Sequence, residues 1–136
     1  MTINQASAIP FRHVDNGVEF CLITSLKRKR WMFPKGIIDP GETYVETALK
    51  EAHEEAGLHG RIVGEPLGTY EYFKWETTLE VTVVLMEVLN CDDLWEEAGL
   101  RERRWLPAAE ALEILSQREL RHLLQKAIEV LDRPSQ

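Results

Sequence analysis

The chain has 136 residues, 44% apolar and 29% charged, with a formal net charge of −7. Its length suits one domain with an adequate core, and its composition excludes a disordered or fibrous protein. The acid excess argues against an extended nucleic-acid surface, and no run reaches the roughly 20 apolar residues of a membrane span.

A single domain over residues 1–136 is therefore expected. The N-terminus MTINQASAIPF lacks the basic-then-apolar order of a secretory leader, which points to the cytoplasm. Cys21 and Cys91 are far apart without a CxxC spacing, so two buried, reduced thiols are expected and not a disulfide or metal site.

In chain order, ASAIPFRHV (residues 6–14) and VEFCLITS (residues 18–25) are β-prone runs joined by Asp15-Asn16-Gly17, a hairpin signal because Asn-Gly supplies positive φ. A short strand is expected at Trp31 to Phe33, ended by Pro34 and Gly36, with loop chemistry in DPGE. From Thr43 to Ala56, the residues Val45, Ala48, Leu49, Ala52 and Ala56 follow one helical stripe, and Gly57 supplies a C-terminal stop. Two or three strands follow in RIVGEPLGTYEYFK and TTLEVTVVLMEVL. Both alternating sets of the second run are apolar, which predicts a strand covered on both faces. RERRWLP reads as a short strand, Pro107 as the start of a helix through Leu115, and the stripe Leu120, Leu123, Leu124, Ala127, Ile128 and Leu131 as a last amphipathic helix. This order predicts an α/β fold in which a mixed sheet carries helices on both sides.

The helix over residues 43–56 breaks a local rule. At 100° per residue, with Val45 at zero, Glu54, Glu51 and Glu55 fall near about 180°, 240° and 280°, forming an acidic arc beside the buried stripe. Like charges at i+3 and i+4 cost roughly 0.2–0.5 kcal/mol per pair, and acids near a helix C-terminus lose roughly 0.3–1 kcal/mol each to the dipole. Two readings account for the arc: a solvated charged face, or hard oxygen ligands for a divalent cation such as Mg²⁺. His53, near about 80° on that wheel, reads as a surface or packing residue. Lys50 can pair with Glu46 at i, i+4, or hold an acid of the metal face ionised.

These residues resemble the Nudix hydrolase signature, G-x5-E-x7-R-E-U-x-E-E-x-G-U with U aliphatic. Gly36, Glu42, Lys50, Glu51, Ala52, Glu54, Glu55, Gly57 and Leu58 occupy its fixed positions in register, in one continuous block over residues 36–58. Lys50 stands where Arg is usual, which keeps the charge and loses the bidentate fork. Ala52 is smaller than the common aliphatic.

The resemblance implies a Nudix-type α/β/α sandwich with a loop-helix-loop catalytic motif. It also implies Mg²⁺- or Mn²⁺-dependent hydrolysis of a diphosphate linkage in a nucleoside-diphosphate-X substrate. Glu51, Glu54 and Glu55 would ligate the cation, with the Gly36 carbonyl as a further ligand, and Glu42 would orient the loop or helix. Such a cation neutralises diphosphate charge, acidifies a water and aligns attack on phosphorus. Glu54 is the first choice as proton acceptor, with Glu51, Glu96 and Glu97 as alternatives.

Lys27, Arg28, Lys29, Arg30 and Lys35 form a basic segment without an acid. With Lys35 before Gly36, it resembles the subgroup acting on diphosphoinositol and diadenosine polyphosphates, whose charge would suit a rim of Arg28, Lys29, Arg30 and Lys35. A solubilising turn is the plainer reading of the same residues. Tyr70, Tyr72, Phe73 and Trp75 fit either base stacking or sheet packing. Two alternatives stand beside this reading: an ADP-ribose, nucleotide-sugar or oxidised-nucleoside-triphosphate pyrophosphatase, and a Nudix-fold binding module without catalysis. The expected partner is an anionic small molecule, and the oligomeric state is open between monomer and homodimer.

Overall fold

The computed structural model describes residues 1–133. Its strands are β1 (Thr2–Val14), β2 (Gly17–Thr24), β3 (Trp31–Met32), β4 (Lys35–Ile37), β5 (Leu58–Lys74), β6 (Thr77–Cys91) and β7 (Arg103–Pro107). The helices are α1 (Tyr44–Ala56), α2 (Ala108–Ile114) and α3 (Arg118–Asp132). Seven strands form one sheet in the order β3-β2-β1-β6-β5, with β4 on β1 and β7 on β2.

The long central strand β1 organises the sheet. Residues Gln5 to Ser7 pair with β4, Phe11 to Val14 pair with β2, and the other edge runs parallel to β6. Pro10, which has no N–H to donate, falls between the β4 and β2 ladders. β1 and β6 are buried on both faces, so β6 has the two-sided burial expected of it.

One face is lined by Ala6, Ala8, Val84 and Met86, and α1 covers it with Ala48, Ala52 and Ala56. Small residues on both partners let the helix lie close to the sheet. The other face presents Ile9, Phe11, Phe20, Val81 and Leu85 to α2 and α3 through Ala111, Leu115, Leu120, Leu123 and Leu124. Helices thus cover both sides of a mixed sheet, as the order of elements predicts.

Several details depart from the sequence reading. The β1–β2 loop is Asp15-Asn16, and the positive φ falls on Gly17 at 146° and not on Asn16. The strand expected at Trp31 to Phe33 does stop before Pro34, at Met32, but the chain then pairs again as β4, which includes Gly36. Of the two or three strands expected after α1 there are two, β5 starting earlier than expected, at Leu58, and running 17 residues with register shifts at His59/Gly60 and Val63/Gly68. The buried side of α1 is turned toward the acids, since Thr47 and Glu55 are buried while Val45 is only half-buried.

Candidate active site

The carboxylates stand on a well-terminated helix. Thr43 caps α1 by accepting from the Glu46 N–H while the Glu46 side chain accepts from the Thr43 N–H, which closes a capping box. At the other end Gly57 turns left-handed with φ 69°, and its N–H donates to the His53 carbonyl. Glu51, Glu54 and Glu55 project from the last turns.

β4 brings two further residues to this face. A Cβ on Gly36 would lie 2.6 Å from both Glu51 carboxylate oxygens, so only glycine leaves that carboxylate its place. The neighbouring Lys35 N–H donates to Glu55 Oε1 at 3.0 Å. Glu55 is only 7% exposed, and its Oε2 accepts from Arg101 Nη2 at 3.2 Å.

Burial, reinforced by the charge of Glu54, pushes the Glu51 carboxyl up to about 7. Burial pushes Glu55 up to about 8, against the pull of Arg101 and the Lys35 N–H. Two of the three carboxyls hold their protons tightly, first because burial penalises the charged form and then because neighbouring acids add to it. A hard divalent cation fits this all-oxygen set, because it would neutralise the cluster and displace those protons.

Lys50 does not pair with Glu46, which is committed to the capping box. Its Nζ instead reaches Glu42 Oε2 at 2.8 Å and Asp39 Oδ2 at 3.3 Å. Glu42 also accepts from the Thr47 hydroxyl at 2.9 Å and the Asp39 N–H at 3.3 Å. The Lys50 ammonium, then Thr47, hold the Glu42 carboxyl below its usual range. The pair fastens the loop before α1 onto the helix: Lys50 hydrogen-bonds loop acids, and toward the acid face it acts through its charge alone, which pulls the Glu51 carboxyl downward.

A cavity of about 710 Å³ opens beside Glu55. Its basic lining is Lys27, Arg28, Arg30, Lys35, Lys74 and Arg101. Arg28, Arg30 and Lys35 therefore meet in one place, as the basic-rim reading requires. Lys29 does not join them, because its left-handed φ of 56° turns it away and its Nζ donates to the Leu100 carbonyl at 3.0 Å. Lys35 Nζ donates to the Tyr72 hydroxyl, which donates in turn to Gln5 Oε1 at 2.6 Å. Tyr70 and Tyr72 pack against the core as well as lining or bordering this cavity, whereas Phe73 is 72% exposed at its edge. A second cleft, about 890 Å³, lies between β5 and the helices α2 and α3 and contains none of the signature acids.

Arg101 escapes the sequence reading, which places it in a strand. It lies before β7 with a side chain only 6% exposed, and bridges Glu55, Glu97 Oε1 at 2.7 Å and the Thr24 carbonyl at 2.9 Å. The contacts with Glu55 and Thr24 span 46 and 77 residues, which no local pattern announces, while the Glu97 pair is local, at i, i+4. Of the two loop acids considered as proton acceptors, Glu97 acts on the site, raising both Glu51 and Glu55 through its charge. Glu96 is exposed.

A NUDIX domain family model matches residues 6–127. The chain is 30% identical to the Sus scrofa bis(5'-nucleosyl)-tetraphosphatase [asymmetrical], covering 96% of this chain and 97% of that protein. It is 32% identical to Nudix hydrolase 13, mitochondrial, of Arabidopsis thaliana over 86% of this chain, but spans only 63% of that relative's length. The solved C. elegans Ap4A hydrolase superposes with a TM-score of 0.80 at 26% identity, over 96% of this chain and 99% of that one.

Proposed function

The chain belongs to the Nudix family, and on that premise we propose that it is a divalent-cation-dependent hydrolase of diphosphate linkages that prefers dinucleoside polyphosphates. The observation that carries this reading is the meeting of six basic side chains with Glu55 in one cavity beside the acidic face of α1. A long polyphosphate needs both regions: direct ion pairs along its length, and a cation at the phosphorus attacked.

Glu51, Glu54 and Glu55, with the Gly36 carbonyl, are the proposed ligands for Mg²⁺ or Mn²⁺. The cation would supply charge neutralisation and acidification of the attacking water. Glu54 is the proposed proton acceptor, with Glu51 and Glu97 as alternatives. Lys50 and Glu42 hold the loop in register with the helix. Arg28, Arg30 and Lys35 are the proposed polyphosphate contacts, while Lys29 would support the turn that carries them.

Diphosphoinositol polyphosphates share the charge but have no base. Phe73 and the tyrosines at the cavity favour a nucleotide, as does likeness to the pig tetraphosphatase along nearly its whole length. We take the chain as a single domain. Its two unpaired cysteines, one buried with its thiol pushed up to about 12 by burial, support a reducing compartment such as the cytoplasm.

The test is product release from dinucleoside polyphosphates, diphosphoinositols, ADP-ribose, a nucleotide sugar and nucleoside triphosphates, with Mg²⁺ and Mn²⁺ compared. The highest kcat/KM is expected on a dinucleoside polyphosphate. Highest turnover of ADP-ribose would overturn the substrate assignment, and no turnover of any substrate would leave a binding module.

A further inference from the structure

At the end of α1, away from the acidic arc, three side chains from separate segments converge. His53 comes from the last turn of the helix, His59 from the start of β5 and Asp92 from just after β6. One ligand atom from each lies within 4.8 Å of the other two. His59 Nε2 is 2.8 Å from Asp92 Oδ2, and His53 Nε2 is 4.0 Å from the same oxygen. We infer that His53, His59 and Asp92 form a second cation site, separate from the carboxylate face, that takes a borderline transition-metal ion of the Zn²⁺ class.

The donor set selects the ion. Two imidazoles and one carboxylate suit Zn²⁺ and its neighbours in the first row, and suit Mg²⁺ poorly because it prefers oxygen and water. Ligands about 2.0–2.2 Å from a tetrahedral zinc lie about 3.4 Å from one another. The separations of 2.8 and 4.0 Å to Asp92 bracket that value and all three ligand atoms lie within 4.8 Å of one another, so shifts of up to about 1.5 Å close the site. The His53 and His59 rings already sit 4.7 Å apart between centroids.

The surroundings hold the ligands in place. The Asp92 N–H donates to the Gly57 carbonyl at 2.8 Å, and Arg103 Nη1 donates to both the Asp92 and Ala56 carbonyls at 2.8 Å. These bonds tie the Asp92 backbone to the end of α1. A cation there also meets the negative end of the helix dipole, where positive charge is favoured. The plainer alternative is a His59–Asp92 hydrogen bond with His53 as a bystander. A metal would use both Nε2 atoms, which already face one carboxylate oxygen.

The consequence is mechanical. Bound metal would fasten the last turn of α1, which carries Glu54 and Glu55, to β5 and to the segment after β6. It would stabilise the fold without touching the polyphosphate.

The test is a Zn²⁺ titration of the full chain in excess Mg²⁺, which occupies hard-oxygen sites, followed by nitrogen NMR of the imidazole rings, thermal melting and turnover. One Zn²⁺ should bind, shift the His53 and His59 ring nitrogens and raise Tm. His53→Ala should weaken that binding at least about 10–100-fold and abolish the Tm gain, while turnover with Mg²⁺ stays within about two-fold of wild type. The His53 side chain is 56% exposed, so its removal leaves the fold intact, and Asp92→Ala provides a second variant. Zn²⁺ affinity unchanged in both variants, or unshifted ring nitrogens at saturating Zn²⁺, would overturn the inference. Turnover is read separately, so loss of the second site and failure of the hydrolase reading are distinguishable.

Discussion

Glu55 and Arg101 are the most constrained pair at the site, with side chains 10% and 6% exposed. Arg101→Met would strand Glu55 beside Glu51 and remove the Glu97 and Thr24 contacts at the same time. Breaking a buried pair from one side costs roughly 3–5 kcal/mol, and the loss should lie near or below the lower end because the Glu55 carboxyl already holds a proton up to about pH 8. Chemical denaturation at pH 6 and pH 8 checks this, with the larger loss expected at pH 8. Glu54→Gln should lower kcat by about 10²–10⁴-fold with an unchanged melting curve, the range for a lost general base. A drop below about ten-fold would move the proton-acceptor role to Glu51 or Glu97. Gly36→Ala tests the close approach to Glu51: its Cβ displaces that carboxylate, so divalent-cation affinity should fall while the short β4 ladder survives.

At the scale of elements, α1 was the most legible part of the sequence because its signals are local. The alanine stripe and Gly57 act within a few residues, and the structure has them where the pattern puts them; the Thr43–Glu46 capping box is equally local but lies outside the sequence reading, which gives Glu46 to Lys50. Thr43→Ala should cost about 1 kcal/mol in urea unfolding and shift the metal dependence of turnover little, since the cap is distant from the acids. Gly57→Ala should cost more. It forces a left-handed φ on alanine and sets a Cβ 2.9 Å from the Trp95 Cβ. β4 was illegible because three residues after a proline carry no periodicity. It exists because β1 offers a free edge at Gln5 to Ser7, and that pairing delivers Gly36 and Lys35 to the helix.

For the whole molecule, the folded-state carboxyls of Glu51 and Glu55 set a pH dependence. Between about 4.5 and about 8 the folded protein holds protons there that the unfolded chain has lost. The folded state then binds more protons, so unfolding free energy falls as pH rises through that window. Metal-free protein should melt higher at pH 5.5 than at pH 8, and saturating Mg²⁺ should shrink the difference; an unchanged gap would remove the cation from the acid face. Glu42 works the other way, with its contribution lost as pH falls below about 4.5. The cavity supplies a further prediction. Arg28→Glu with Arg30→Glu should raise KM for a dinucleoside polyphosphate about ten-fold or more per lost contact, ADP-ribose much less, and Lys29→Glu should act weakly on both. By itself the sequence determined the mixed sheet between helices and the signature helix with its acids, because periodicity, caps and turn residues operate over a few positions. Only the tertiary structure decided that Lys50 grips Glu42, that Arg101 braces Glu55, that Lys29 leaves the basic cavity, and that two histidines converge on Asp92. Each of those depends on segments brought together by sheet pairing, and the energy of such a contact leaves no mark on the neighbouring residues of the chain.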